Sequence, residues 1–303
     1  MRITNNGMAE RILSELQDNL RNVANSEQQV ATGLKLNKPS DDPVSTGELI
    51  RLRTSISRQD QYIRNMESGL SQLKMTSSEL GSINDILIQA RALAVQGAND
   101  TLDEDDRNGL AEEVDQSLQE LLRIANQKYG SRYLFGGSDT TQKPYESEET
   151  GEGWIEGVYS NIPDDEEDME LYFDEDKKVE IQLNGNKVFD LGNGSNVFDV
   201  LIQLREALAT NDPAAVGDRL PEIDEALEKV SNAIALVGSR INTSDDMMER
   251  LEERKINLVS RQSSVGDADL AEVITRLNEE KLVYELGLST ASSVLKTSLL
   301  DYL

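Results

Sequence analysis

Fourteen positions between Leu220 and Val265 are spaced alternately by three and four residues, and eleven of them are apolar, with Ser244, Lys255 and Gln262 the exceptions. That spacing draws one narrow apolar line along an α-helix; a strand would alternate at every second residue. Unbroken, such a helix is about 69 Å long, with Pro221 in its first turn. A rod of that length with a single seam needs a partner of similar length. The chain offers one between Leu49 and Leu87, where twelve heptad slots hold nine apolar residues, and Gln59, Ser77 and Asn84 fill the rest.

The composition agrees with shared seams and not with one thick core: 37% of the 303 residues are hydrophobic and 4% aromatic. The formal net charge of −27, from 57 acidic and 30 basic residues, argues against nucleic acid as a partner, since phosphate binding needs clustered Lys and Arg. Cysteine and histidine are both absent, which removes disulfides, thiolate chemistry and the commonest proton carrier and zinc ligand. No enzyme, cofactor or metal is expected. No run of about 18 apolar residues occurs, so no membrane span is expected. The opening "MRITNNGMAERIL" has no apolar h-region. Export, if it happens, is expected by a route without a cleaved signal.

Both ends of the chain carry shorter seams. The first falls at Leu13, Leu16, Leu20, Val23, Val30 and Leu34, with Glu27 in the one polar slot. It stops at the polar knot Lys38 to Pro43, where Asp41 or Asp42 can cap the next helix and Pro43 suits its first position. A turn from Gly97 to Asp103 leads to a third helix with Leu110, Val114, Leu118, Leu121, Leu122 and Ala125, ending near Gly130 as a glycine cap. The last segment starts at Gly266-Asp267 and shows Leu270, Ile274, Leu277, Tyr284, Leu288, Ala291, Leu295 and Tyr302. These end helices have no evident partner except each other or a second copy, so they are expected to order on assembly. Leu13, Leu16, Leu20, Val23, Leu288, Leu295 and Leu299 are the expected assembly residues, and Asp41, Asp42 and Pro43 the cap and hinge.

Residues 131–196 differ in kind. Short β-like runs occur at Glu170–Phe173, Val179–Leu183 and Lys187–Leu191, with Asn184-Gly185 as a hairpin signal between the last two. Fifteen acidic residues lie between Pro144 and Glu180. The acidic run Asp164 to Asp176 lacks the glycine and ligand spacing of an EF-hand loop and reads as a solvated face. Ser293 with Lys296, and Ser71 with Lys74, fit the S-x-x-K pattern of acyl-enzymes, but neither companion motif follows, so both read as helix surface. Tyr133-Leu134-Phe135 before Gly136-Gly137 reads as a tight turn anchored by buried apolar side chains.

The expected fold is mainly α with a small β-rich insert, its long antiparallel coiled-coil rods formed by the N- and C-terminal halves. The boundaries are an assembly helix 1–42, a core rod 43–130, the insert 131–196, a second rod half 197–265 and an assembly helix 266–303.

Several stretches resemble the bacterial flagellin family. "GLKLNKPSDDPVSTG" is similar to its N-terminal motif, and "VGDADLAEVITRLNEEKLVYELGLSTASSVL" to its C-terminal one. "MRIT", "QKYGSRYLFGGS" and the proline after the paired aspartates resemble the branch at the hook–filament junction. The resemblance covers about residues 1–138 and 197–303. It implies a structural flagellar protein, exported unfolded through the type III apparatus and attended by a cytoplasmic chaperone. Its implied partners are further copies in a ring at the hook tip, a neighbouring hook-associated protein and flagellin. A short flagellin forming the filament itself and a non-polymerising coiled-coil binding protein of a secretion system are the alternatives.

Overall fold

The computed structural model describes residues 5–137, 140–149, 154–163, 170–172, 178–192 and 194–300; the side chains of 5, 6, 8, 9, 149, 170, 171 and 294–300 lie outside this description. The chain forms two compact units, Asp60–Glu252 and Met1–Gln59 with Glu253–Leu303. Two long helices cross from one unit to the other, α2 (Pro43–Gly97) and α7 (Leu220–Gly266).

In the Asp60–Glu252 unit, α2 and α7 run antiparallel, as the ion pairs Arg91–Asp224 (2.6 Å) and Lys74–Asp245 (4.0 Å) show. Leu73, Leu80 and Leu87 are fully buried on α2, and Ile223, Val230 and Val237 on α7. These are the heptad slots, and none of the fourteen on α7 is exposed. Polar members conform as well: Ser244 is fully buried, its hydroxyl donating to the Arg240 carbonyl one turn earlier. The hydroxyl of Ser71 donates to the Glu67 carbonyl, and Lys74 serves its ion pair, so the first S-x-x-K pattern is ordinary helix surface.

Helix α3 (Glu104–Ala125) starts where Asp103 accepts from the Asp106 amide, with three acidic residues in its first turn. It ends at Asn126, not at Gly130, which turns the tight hairpin between β1 (Lys128–Tyr129) and β2 (Arg132–Tyr133) at φ +62°. The third layer is α5 (Val197–Ala209), set off from α7 by the short α6 (Pro213–Asp218). The heptads of α7 give no sign of α5, because α5 has no single seam. Val197, Phe198, Val200, Leu201, Leu204 and Leu208 are buried on several sides of it. A capping box of Asn196 and Asp199 fixes its start.

The insert shares the helical core. Its described strands form antiparallel pairs: β3 (Tyr145–Glu149) with β4 (Ile155–Ser160), β5 (Glu170–Tyr172) with β6 (Lys178–Glu180), and β7 (Asp190–Gly192) with β8 (Ser195–Asn196). Phe135 and Tyr145 of the insert meet Phe189, and Tyr145 and Phe189 meet Phe198 of α5, at ring distances of 5.1 to 5.6 Å. Leu134 and Phe135 anchor the turn at Gly136-Gly137, and Gln182, fully buried, donates to the Tyr133 carbonyl.

Asn184-Gly185 is not a hairpin. Asn184 accepts from the Asn186 amide and starts a one-turn helix, α4 (Asn186–Phe189). Gly185 has ordinary right-handed angles and is required by space: a Cβ there would lie 2.5 Å from the Tyr145 hydroxyl and 2.9 Å from the Phe135 carbonyl oxygen. Gly185→Ala is expected to cost about 1–3 kcal/mol in a denaturant titration, since backbone and a buried ring must shift. An unchanged midpoint would show that the site has slack.

Candidate assembly surface

The second unit is built on the two ends of the chain. Helix α1 (Asn5–Thr32) and helix α8 (Leu270–Leu300) lie antiparallel, joined at their base by a short backbone ladder. The Lys35 amide donates to the Gly266 carbonyl (2.8 Å), and the Ala268 amide to that of Gly33 (2.9 Å). Gly33 turns the chain out of α1 at φ +69°, a conformation that favours glycine.

The polar knot is a pair of side-chain caps. Asp41 accepts from the amides of Asn37 and Lys38 and closes the loop. Asp42 accepts from the amides of Val44 and Ser45 and from the Ser45 hydroxyl at 2.6 Å, and Pro43 is the first residue of α2. The hydroxyl and then the amide of Ser45 hold the Asp42 carboxyl below its usual range. A depressed carboxylate stabilises above the unfolded value of about 4, and its contribution is lost as pH falls through the folded value. The protection factors of the Val44 and Ser45 amides, exchange rates corrected for their intrinsic pH dependence, are therefore expected to fall only below about pH 4. In Asp42→Ala they should be low already at pH 7; unchanged protection in that variant would remove Asp42 as the cap.

The contact line of this pair differs from the apolar line of the sequence. On α1 the inward residues are Ile12, Leu16, Asn19, Val23, Ser26 and Val30; on α8 they are Val273, Leu277, Glu280, Tyr284, Gly287 and Ala291. Both sets step by three and four. Among the expected assembly residues, Val23 is buried and Leu16 half-buried, whereas Leu13, Leu20 and Leu288 are 50–55% exposed. Leu270 and Ile274 also face outward. The side chains of Leu295 and Leu299 lie outside the described residues.

Close approach explains the rotation. A Cβ on Gly287 would come within 3.1 Å of Leu16, and Ser26 is 4% exposed, so small residues let the helices pack on that side. Glu280 sits in the same line with one carboxylate oxygen buried and unpartnered. Leucine counting passes over such positions; their signal is a second 3-4 line of small and polar residues one step from the apolar one.

The outward residues make this unit unusual for an isolated soluble body. Ile50, Ile256, Leu282, Val283 and Leu286 are each more than half exposed, in addition to Leu13, Leu20 and Leu288. Among the described residues, no cluster of His, Cys, Asp and Glu is placed to hold a metal, and no helix is long and apolar enough to cross a membrane. Residues 164–169 and 173–177 of the acidic run lie outside the description.

A mainly helical chain whose two ends pair with each other, and together present leucines to solvent, is the architecture of an assembly subunit. Residues 3–140 match the model of the bacterial flagellin N-terminal helical region, and residues 220–303 that of the C-terminal helical region. The chain belongs to the bacterial flagellin family. It is 25% identical to flagellar hook-associated protein 3 of Escherichia coli (strain K12), over 84% of this chain and 86% of that protein. It is 22% identical to flagellin of Listeria monocytogenes, over 98% and 96%. Among solved structures, a putative flagellar hook-associated protein from Vibrio parahaemolyticus superposes with a TM-score of 0.67 at 21% identity, over 75% of this chain and 100% of that one.

Proposed function

We propose that this chain is the adapter between hook and filament of the bacterial flagellum, and that it polymerises through its terminal helices. The observation that carries the reading is the outward apolar surface of the unit made by the chain ends, with Leu13, Leu20, Leu282, Leu286 and Leu288 at least half uncovered. Val23 and Leu16 hold the end helices to each other, and Leu295 and Leu299 are assigned to assembly from the sequence alone. The caps at Asp41, Asp42 and Pro43 set the angle at which the end helix leaves the rod. The partners are further copies in a ring, a neighbouring hook-associated protein on one side and flagellin on the other. Before export a cytoplasmic chaperone covers the apolar end. The protein works outside the cell, as part of the flagellum.

Two features support the junction over the filament: the resemblance of Ser131 to Gly137 to the junction branch, and the similarity to hook-associated protein 3 along most of both chains. Similarity to Listeria flagellin over nearly the whole chain keeps a short flagellin as the second reading. Deleting the gene in its own host separates them. Bare hooks, with filament protein shed into the medium as monomer, are the expected result. Loss of the most abundant secreted protein would make this chain the filament subunit, and normal filaments would overturn both readings.

A further inference from the structure

We propose that a cavity in the insert, between the strand pair β3–β4 and the segment from α4 to β8, binds one sugar ring, either free or at the end of a glycan. Its residues all belong to the Asp60–Glu252 unit, so this binding does not depend on the assembly reading.

The cavity has a volume of about 370 Å³. That is the small end of the range for ligand pockets. Tyr145 and Phe189, packed edge to face at 5.2 Å, form its apolar side. Its polar groups come from Ser160, Asn186, Asp190, Ser195 and Asn196.

An unsatisfied hydroxyl in the wall points to an occupant. Tyr145 is 3% exposed, and its buried hydroxyl has no hydrogen-bond partner among the described residues. Gly185 closes in on one side, where a Cβ would lie 2.5 Å from the hydroxyl. Ser160 stands directly opposite Tyr145 on β4, but its hydroxyl is already committed. It donates to Asn186 Oδ1 at 2.8 Å and accepts from the Ile162 amide at 3.2 Å. The Asn186 amide nitrogen is taken as well, by the Ile162 carbonyl. Ionisation gives no relief either. Burial, and then the charge of Asp190, push the pKa of this phenol up, so it stays a neutral group able to donate and accept. A buried polar group without a partner is costly, and a ligand that reaches it recovers the loss.

The other uncommitted groups set the chemistry of that ligand. Asp190 accepts from the Gly192 amide through Oδ1, and Asn196 caps α5 through its own Oδ1. Asp190 Oδ2, Asn196 Nδ2 and the Ser195 hydroxyl make no hydrogen bond among the described residues. Together with Tyr145 they offer donors and acceptors in similar measure. No lysine or arginine lines the cavity among the described residues, so a phosphate or carboxylate would meet Asp190 without a compensating cation. A single carboxylate is also too little for a divalent metal. A neutral molecule with hydroxyls around its edge and C–H groups on its faces matches this mixture, and a sugar ring is such a molecule.

Saturation-transfer NMR on the full chain tests the site, with hexoses and N-acetylhexosamines offered both free and as methyl glycosides, and glycerol as the control. Transfer to at least one sugar at millimolar concentration is expected, and Tyr145→Phe should weaken it about tenfold. Asp190→Asn, which keeps the acceptor for Gly192, should weaken it as well. Without sugar, Tyr145→Phe should melt at the parental temperature or above, because the hydroxyl it removes has no partner. A methyl glycoside bound as well as its free sugar would identify the end of a glycan as the source, and a free sugar bound alone would identify a free sugar; both support the proposal. No transfer to any sugar, equal transfer to glycerol, or binding untouched by Tyr145→Phe would overturn it. So would a lower melting temperature for that variant, which would show that water already satisfies the hydroxyl.

Discussion

Replacing Arg205 with methionine is expected to destabilise the Asp60–Glu252 unit by about 3–5 kcal/mol, because it strands a buried carboxylate. Arg205 on α5 donates to Asp115 on α3 at 2.7 Å, and the two side chains are 3% and 9% exposed. The Trp154 ring stands over the guanidinium, its centroid 4.7 Å away. Asp115 keeps one further side-chain hydrogen bond, from Gln119. Taking the arginine away leaves that carboxylate desolvated with half its partners. The pair itself is a different matter, since removing two charges from water costs about as much as their attraction returns. The double variant Arg205→Met with Asp115→Leu is therefore expected to recover most of the loss. Denaturant titrations of the two single variants and the double one form a cycle that isolates the coupling. A single variant within about 1 kcal/mol of the parent would show that water reaches Asp115 and that the pair does not anchor α5.

The second large effect concerns assembly and leaves the fold untouched. Leu13, Leu20 and Leu288 are each at least half exposed in the single chain, so alanine at all three removes little from it. If assembly buries the exposed half of each, a truncation forfeits about half of the 1.5–3 kcal/mol of a fully exposed leucine, or roughly 2–5 kcal/mol for the three. At about 1.4 kcal/mol per tenfold, that is a loss of about thirtyfold to a few thousandfold in affinity. The triple variant should keep its circular dichroism and melting temperature and fail to enter flagella. Swimming at the parental rate would sink the assignment of these residues. Alanine at Val23 and Leu16 should behave in the opposite order, loosening the α1–α8 pair first, because these two lie between the helices.

Gly185 and the two end helices show where reading residues along the chain succeeds and where it stops. The rods were legible because a heptad line depends on residues three and four apart, and those distances are set within one helix. The cap at Asp42 was legible for the same reason, since an aspartate reaches amides two and three residues ahead. Gly185 was not. Its neighbours, Phe135, Tyr145 and Ile162, are far away in the chain, and only folding brings them to within about 3 Å of where a side chain would stand. Helix α5 was hidden because its polar positions, Asp199, Gln203 and Glu206, form only a narrow stripe on a helix buried around most of its circumference.

The sequence by itself determined that the chain is a set of long amphipathic helices with a β-rich insert, where those helices break, and which family it belongs to. The tertiary structure alone decided which line of each end helix turns inward. Both α1 and α8 carry two neighbouring 3-4 lines that share Leu16, Val23, Leu277 and Tyr284, and spacing cannot choose between them. Gly287 and Ser26 let the backbones approach along the less apolar line, so the richer one is left facing out. A heptad pattern specifies that a face must be covered; the shape of the neighbouring helix settles whether the cover comes from the same chain or from the next.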